Sequence, residues 1–177
     1  TFTNRGKRYT AFSYARNGKT EYFDETGRPL KKVLMRIPIE FARLSSTFGM
    51  RKHPVLGRMR AHKGVDYAAR TGTPIMAAGD ARVSFVGWKN GYGRAVILDH
   101  GQGRSTLYGH LSGFAKGLHR GQRVAQGDVI AYVGMTGMTS GPHLHYEFKI
   151  DGQQRDPLRV ALPDAQPVNA ANMAAFQ

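Results

Sequence analysis

The chain has 177 residues, 41% of them hydrophobic, and carries 26 Lys and Arg against 12 Asp and Glu, which gives a formal net charge of +14. This length can bury a substantial core, and no apolar run reaches the roughly 20 residues that a membrane-spanning helix needs. The absence of cysteine excludes disulfide bonds and thiolate metal sites. The 22 glycines and the many aromatic residues indicate short strands joined by tight turns.

The positive charge is concentrated toward the start of the chain. Residues 1–60 hold 14 Lys and Arg against 4 Asp and Glu, whereas residues 61–177 hold 12 against 8. A field of this sign attracts polyanions, and nucleic acid, anionic lipid and an acidic cell-wall polymer all fit it. Because the chain begins at Thr1 with neither a methionine nor an apolar signal segment, we expect it to be a processed or truncated part of a longer precursor.

Residues 1–44 are predicted to form a small basic β appendage or linker. Asn17-Gly18 lies between two strand-like runs, residues 9–14 and 21–24, and this pattern is typical of a β-hairpin. A hairpin alone is only marginally stable, so we expect it to pack on a larger body.

Residues 45–160 are predicted to form the main domain, an antiparallel sheet folded as an open barrel or sandwich. Runs rich in β-branched and aromatic residues alternate with glycine-containing turns, and no amphipathic helical pattern interrupts them. The clearest predicted strands are residues 81–87, 94–100, 104–110, 128–134 and 143–150. The last segment, residues 161–177, mixes Ala, Pro and Asn and is predicted to be a short helix or an irregular tail.

Two short clusters contain residue types that bind metal ions, His62 with Asp66 and His143 with His145. Zn²⁺ accepts imidazole nitrogen and carboxylate oxygen, and a catalytic site uses three protein ligands with a fourth position open. The four residues therefore offer one ligand more than such a site requires. The spacing of His62 and Asp66 fits one face of a helix or of an extended strand, and Gly64 favours a strand or loop.

The predicted strand 143–150 places His143, His145 and Glu147 on one face and apolar side chains on the other. The apolar face should pack inward, which leaves the two imidazoles roughly 7 Å apart on an open face. Only one of them is needed as a ligand, and the other can then reach a metal-bound water. We expect Glu147 to be a solvated strand residue rather than the partner of a ligand.

The remaining histidines divide into two groups. His110 closes the predicted strand 104–110 and could project toward the cleft that holds the candidate metal site, in a supporting or catalytic role. The other three are expected to be ordinary surface or hydrogen-bonded residues, and they are His53, His100 and His119.

Three segments, in this order, resemble the signatures of the LytM/lysostaphin family of zinc metallopeptidases, which cut peptide cross-links in bacterial peptidoglycan. They are residues 51–66, 108–111 and 137–147, and the resemblance is strong over residues 45–150. It implies a zinc metallopeptidase domain over residues 45–160 with one Zn²⁺ per chain. It also implies the role of each site residue: His62, Asp66 and His145 as zinc ligands, and His110 and His143 as the catalytic pair.

Residues 22–32 and 162–176 are similar to Gram-negative periplasmic members of that family. The resemblance thus implies a D,D-endopeptidase that hydrolyses D-alanyl-diaminopimelate cross-links in the periplasm or cell envelope. In the implied mechanism, His110 or His143 takes the proton of the attacking water and the other assists, and the choice between them stays open. Peptidoglycan is the expected substrate, we expect a monomer, and a regulatory or adaptor protein is a further candidate partner.

Three other functions fit parts of the same sequence. A catalytically silent activator of another wall hydrolase would bind peptidoglycan without cutting it, although none of the five positions departs from the family pattern. A glycine-bridge endopeptidase of the lysostaphin branch would use the same residues on another cross-link. A nucleic-acid binder rests on the net charge alone and lacks a recognition-helix pattern, so we expect no nucleic-acid partner.

Overall fold

The structure, a computed structural model, describes residues 2–4, 7–16, 19–23, 34–52, 57 and 59–162. Within these residues the strands are β1 (Phe2–Asn4), β2 (Lys7–Tyr9), β3 (Phe12–Arg16), β4 (Lys19–Phe23), β5 (Arg43–Ser46), β6 (Gly49–Lys52), β7 (Met59–His62), β8 (Val65–Ala68), β9 (Pro74–Met76), β10 (Ala81–Lys89), β11 (Gly93–Gly101), β12 (Arg104–Phe114), β13 (Arg123–Val124), β14 (Val129–Val133), β15 (His143–Ile150) and β16 (Gln153–Arg155). The described ranges hold no helix that could cross a membrane. The predicted antiparallel, mainly β fold is confirmed.

The chain divides into two compact units, residues 1–34 with 161–177 and residues 35–160. In the first unit β1 pairs with β2 and β3 pairs with β4, both antiparallel. The strands β3 and β4 confirm the predicted hairpin strands, while the turn at Asn17-Gly18 lies outside the described residues. The predicted boundaries at residues 44 and 160 stay a prediction, and the predicted helix or tail falls, after residue 162, outside the described part of the chain.

The second unit is built on a ten-stranded sheet with the strand order β13-β10-β11-β12-β15-β8-β5. Beside this path β14 pairs with β12 and β9, and β16 pairs with β15. The strands at its two ends, β13 and β5, do not pair with each other, so the sheet is open and is not a closed barrel. A separate antiparallel pair joins β6 to β7 and ends at His62.

All five strands predicted for the main domain are present close to their predicted bounds, as β10, β11, β12, β14 and β15. Most of the remaining strands were not predicted as separate elements. They span two to four residues each, which is too short for an alternating pattern to stand out from the surrounding turns.

Both faces of β15 are covered. The apolar side chains of Leu144, Tyr146 and Phe148 are at most 2% exposed, as predicted. On the other face His145 is 7% and Glu147 0% exposed, so the expectation of an open face is wrong. That face is covered in part by Tyr92, which contacts both residues. Alternation assigns a residue to a face, but the rest of the fold decides what covers it.

Candidate metal centre

Strand register brings the predicted site residues together. Asp66 on β8 pairs with His145 on β15, and His145 pairs on its other side with Gly109 on β12. His62 is the last residue of β7, and β8 begins three residues later. His110 follows Gly109 directly. Residues from four strands therefore meet at one place, three of the strands belonging to the ten-stranded sheet and β7 to the separate pair.

His62 and Asp66 lie on successive strands, not on one helix or one strand as their spacing suggested. The junction between these strands requires a glycine, because a Cβ at Gly64 would collide with the backbone oxygen of Tyr146. Without a side chain at residue 64, the backbone before β8 can approach β15 closely enough to bring Asp66 opposite His145.

Three side chains converge with one potential ligand atom each. Asp66 Oδ1 lies 2.8 Å from His145 Nδ1 and 3.1 Å from His62 Nε2, and the two imidazole nitrogens lie 3.3 Å apart. The three residues are buried, and their ligand atoms all lie within 4.8 Å of one another. Two imidazole nitrogens and one carboxylate oxygen are a donor set suited to a catalytic zinc site.

Each of these two imidazoles has an acceptor on its other nitrogen. His62 Nδ1 donates to the backbone oxygen of Thr47 over 2.7 Å, so its Nε2 faces the cluster. His145 is oriented the opposite way, because its Nε2 donates to Glu147 Oε1 over 3.1 Å, and that oxygen also accepts the Tyr92 hydroxyl over 2.7 Å. Such acceptors fix the tautomer and the orientation of a metal-binding imidazole. The expectation that Glu147 is solvated is therefore wrong, since it partners a candidate ligand.

Two buried carboxylates, Asp66 and Glu147, give the cluster its electrostatic character. Burial alone would raise the pKa of Asp66, but its hydrogen bonds with His145 and His62 outweigh burial and hold that pKa well below its usual range. Burial also acts to raise the pKa of Glu147, and the hydrogen bond from His145 leads the effects that lower it to about 2.

His145 carries a positive charge between the two carboxylates when no metal ion is bound. Burial lowers its pKa, but hydrogen bonds to Asp66 and Glu147 outweigh burial and raise the pKa to about 9. Ionised carboxylates shielded from water need a cation beside them. Lys149 Nζ, 3.5 Å from Glu147 Oε2, supplies part of this charge, and either a protonated His145 or a bound metal ion supplies the rest.

His110 and His143 form a second pair in the same cleft, with ring centroids 4.7 Å apart. His110 Nδ1 donates to the backbone oxygen of Thr136 over 2.7 Å, and His143 Nδ1 donates to that of Gly141 over 2.8 Å. Both Nε2 atoms are then left as proton acceptors, and that of His143 lies 3.6 Å from Asp66 Oδ1. Burial is the main reason that the pKa of His110 is lowered to about 4, which keeps this ring neutral at pH 7.

A β-bulge presents His110 to the cleft. The register between β11 and β12 shifts between Arg94 and Val96, opposite Gly109 and His110. His110 has a φ of 60°, in the left-handed region that non-glycine residues seldom adopt. The prediction that His110 closes its strand is corrected, because β12 continues past the bulge to Phe114.

Sequence reasoning missed the residues that orient the imidazoles. Thr47, Thr136 and Gly141 act through backbone oxygens, which every residue type supplies, so no sequence signal marks them. Tyr92 acts through its hydroxyl, but it lies 55 residues from Glu147. No local spacing connects such a pair.

The other histidines lie apart from this cluster. His100 is hydrogen-bonded to Asp80 and Thr106, and His119 is exposed, with neither lining the cleft. His53 lies outside the described residues.

The cluster opens into a cleft of about 590 Å³. This volume is within the range of about 300–1,000 Å³ that is usual for ligand sites. Its walls include Ser45 and Ser46 of β5, the turn at residues 90–92 and the loop at residues 138–142. Among the described residues that line it, Lys63 is the only Lys or Arg.

Comparison with known sequences identifies related proteins. The profile of Peptidase family M23 matches residues 60–157. The DD-carboxypeptidase/endopeptidase Mpg of Neisseria meningitidis serogroup B is 48% identical over 157 residues, which cover 86% of this chain and 35% of that protein. The peptidoglycan DD-endopeptidase ShyC of Vibrio cholerae is 41% identical over 177 residues, covering 99% of this chain and 40% of that protein. The chain thus spans between a third and two fifths of the length of these curated relatives.

Comparison with solved structures supports the fold. The crystal structure of a zinc containing peptidase from Vibrio cholerae aligns with a TM-score of 0.69 at 33% identity. The alignment covers 88% of this chain and 47% of that one.

Proposed function

The chain belongs to peptidase family M23, and from that premise we propose that it is a zinc-dependent endopeptidase that hydrolyses peptide cross-links in bacterial peptidoglycan. The DD-endopeptidase names of its relatives support the D-alanyl-diaminopimelate bond as the target. The peptidoglycan named for one of them supports a location in the cell envelope, and the periplasm is the compartment that we propose. The observation that carries the proposal is the convergence of three ligand atoms within 4.8 Å, in a cleft that also holds the His110–His143 pair.

The residues present fit a zinc ion in both donor type and charge. His62 Nε2, Asp66 Oδ1 and His145 Nδ1 would hold it, one ion per chain. The carboxylates of Asp66 and Glu147 would offset its positive charge within a buried site. A zinc ion held there supplies Lewis acidity to the scissile carbonyl and to the attacking water.

His110 and His143 are the proposed proton-transfer residues. Each donates Nδ1–H to a backbone oxygen, so its Nε2 can accept a proton. One takes the proton of the attacking water, and the other donates to the developing oxyanion or to the leaving amine. The lowered pKa of His110 keeps it in the neutral form that a proton acceptor needs.

The position of Lys63 favours the diaminopimelate cross-link over a glycine bridge. Lys63 is exposed, lines the cleft and directly follows His62. In a D-alanyl-diaminopimelate cross-link, the carbon that bears the acylated amine also bears a free carboxylate, which a nearby ammonium can attract. A glycine bridge has no charge at that place.

Digestion of defined cross-linked muropeptides tests the proposed reaction. We expect mass spectrometry to show two products whose summed mass exceeds that of the substrate by one water, with one new D-alanyl carboxylate and one new diaminopimelate amine. A zinc chelator should stop the reaction and added zinc should restore it. Binding without cleavage, indifferent to the chelator, would instead identify a silent activator, and cleavage confined to glycine-bridged substrates would identify the other endopeptidase class.

Zinc binding is expected to release about one proton per chain near pH 7.5. In the metal-free protein the pKa of His145 is raised to about 9, so its Nδ1 must lose a proton before it can bind metal. Affinity should therefore rise about tenfold per pH unit as the pH approaches about 9, and level off above it. Calorimetric titrations in buffers of different ionisation enthalpy measure the proton count. A count of zero near pH 7.5 would show that His145 is already neutral in the metal-free protein, and its role as a ligand is tested separately by substitution.

A further inference from the structure

We propose that Tyr92 is a positioning residue that connects the metal-binding and proton-transfer parts of the site, an inference that rests on the proposed zinc site. Tyr92 is half-buried in the turn between β10 and β11 and lines the cleft. It supplies neither a candidate ligand atom nor a proton-transfer group. Tyr92 nevertheless makes three contacts within the site. Its hydroxyl contacts Glu147, which orients His145, its ring contacts His145, and its backbone contacts His110.

The hydroxyl of Tyr92 acts on the metal-binding part through Glu147. It donates to Glu147 Oε1 over 2.7 Å, and the same oxygen accepts His145 Nε2 over 3.1 Å. Glu147 is 0% exposed, so bulk water has no direct access to it. Because one oxygen receives both hydrogen bonds, the tyrosine restricts where that oxygen lies and hence how His145 is held.

The ring of Tyr92 packs over the strands that carry the two histidines. Its centroid lies 5.6 Å from that of His145. A Cβ added at Gly109 would lie only 3.3 Å from Tyr92 Cδ1, so the ring rests on the backbone just before His110. The ring thus contacts one candidate ligand and the segment that presents a proton-transfer residue.

The backbone of Tyr92 acts on the proton-transfer part. Its carbonyl oxygen accepts the backbone N–H of His110 over 2.7 Å, at the bulge where the φ of His110 is 60°. The turn packs closely against Thr136, since a Cβ at Gly93 would collide with that residue and the backbone N–H of Arg94 donates to Thr136 Oγ1 over 3.0 Å. The backbone oxygen of Thr136 accepts a hydrogen bond from His110 Nδ1, so the backbone and the side chain of His110 are held by two adjoining segments.

These contacts can be separated by substitution. Tyr92→Phe removes the hydroxyl but keeps the ring and the carbonyl. We expect it to weaken zinc binding by about 10- to 100-fold, the usual effect of losing a partner behind a metal ligand. The backbone carbonyl that accepts the His110 N–H is unchanged in this variant, so the quantity that reports the loss of the hydroxyl is the Kd for zinc.

The experiment measures the Kd of the full chain for zinc by competition with a chromophoric chelator. Tyr132→Phe is the matched control, since this tyrosine is also half-buried but does not line the cleft, and it should leave the Kd unchanged. In a Glu147→Leu background, which removes the accepting oxygen, Tyr92→Phe should have a much smaller effect on the Kd if it acts through Glu147. Thermal unfolding of each metal-free variant checks that it is folded.

The outcomes separate this inference from the proposed function. A wild-type chain that binds no zinc would overturn both. If the wild type binds zinc and Tyr92→Phe binds it equally well, the inference alone is wrong. The inference would also be wrong if the effects of the Tyr92 and Glu147 substitutions on the free energy of zinc binding were additive. Additive effects would mean that the tyrosine does not act through Glu147.

Discussion

Replacement of His145 by alanine is expected to abolish zinc binding and peptidoglycan hydrolysis together. The substitution removes the nitrogen that lies 2.8 Å from Asp66 Oδ1 and 3.3 Å from His62 Nε2. It also leaves Asp66 without the cationic partner that its carboxylate has in the metal-free protein and leaves Glu147 with Lys149 alone, so the metal-free variant should lose about 3–5 kcal/mol of unfolding free energy. Metal analysis, muropeptide digestion and denaturant unfolding measure the three effects.

His119→Ala provides the control for this substitution, since His119 is exposed and does not line the cleft. It should retain zinc, activity and stability. If His145→Ala kept both its full zinc content and its full activity, His145 could not be a ligand.

Replacement of His143 by alanine should leave zinc bound and reduce kcat by about 10²- to 10⁴-fold, the usual contribution of a general acid or base. His143 lies outside the three-atom cluster, although its Nε2 is only 3.6 Å from Asp66 Oδ1. Its Nδ1 is held by Gly141, so the imidazole is oriented without a metal ion. Zinc content and single-turnover kinetics on the same sample separate binding from chemistry.

The reverse pattern would exchange the two roles. If His143→Ala lost zinc while His145→Ala kept it, His143 would be the ligand and His145 the proton-transfer residue. His110→Ala should behave like His143→Ala, and the double variant should lose little more than either single one if the pair acts as a unit.

The prediction of strands succeeded where local patterns are strong and failed where packing decides. The runs that became β10, β11, β12, β14 and β15 follow recognisable alternation and turn residues. The sequence predicts a solvated Glu147, because no residue near it in the sequence indicates a partner. The residue that covers it, Tyr92, lies in a distant turn. The sequence predicts a strand end at His110, because Gly109 is as typical of a turn as of a bulge. Only the strand pairing shows that β12 continues past a bulge at this point.

By itself the sequence determined which chemistry is available: two clusters of imidazole and carboxylate groups, placed on or beside strands, without thiolates. Only the tertiary structure decided how these groups face one another. Strand register sets Asp66 against His145, and Gly64 permits the close approach. The acceptors that orient the imidazoles are mostly backbone oxygens contributed by other segments of the chain. An imidazole has two nitrogens, and the one that faces the cluster is set by the hydrogen bond that the other makes, which is a property of the fold and not of the residue.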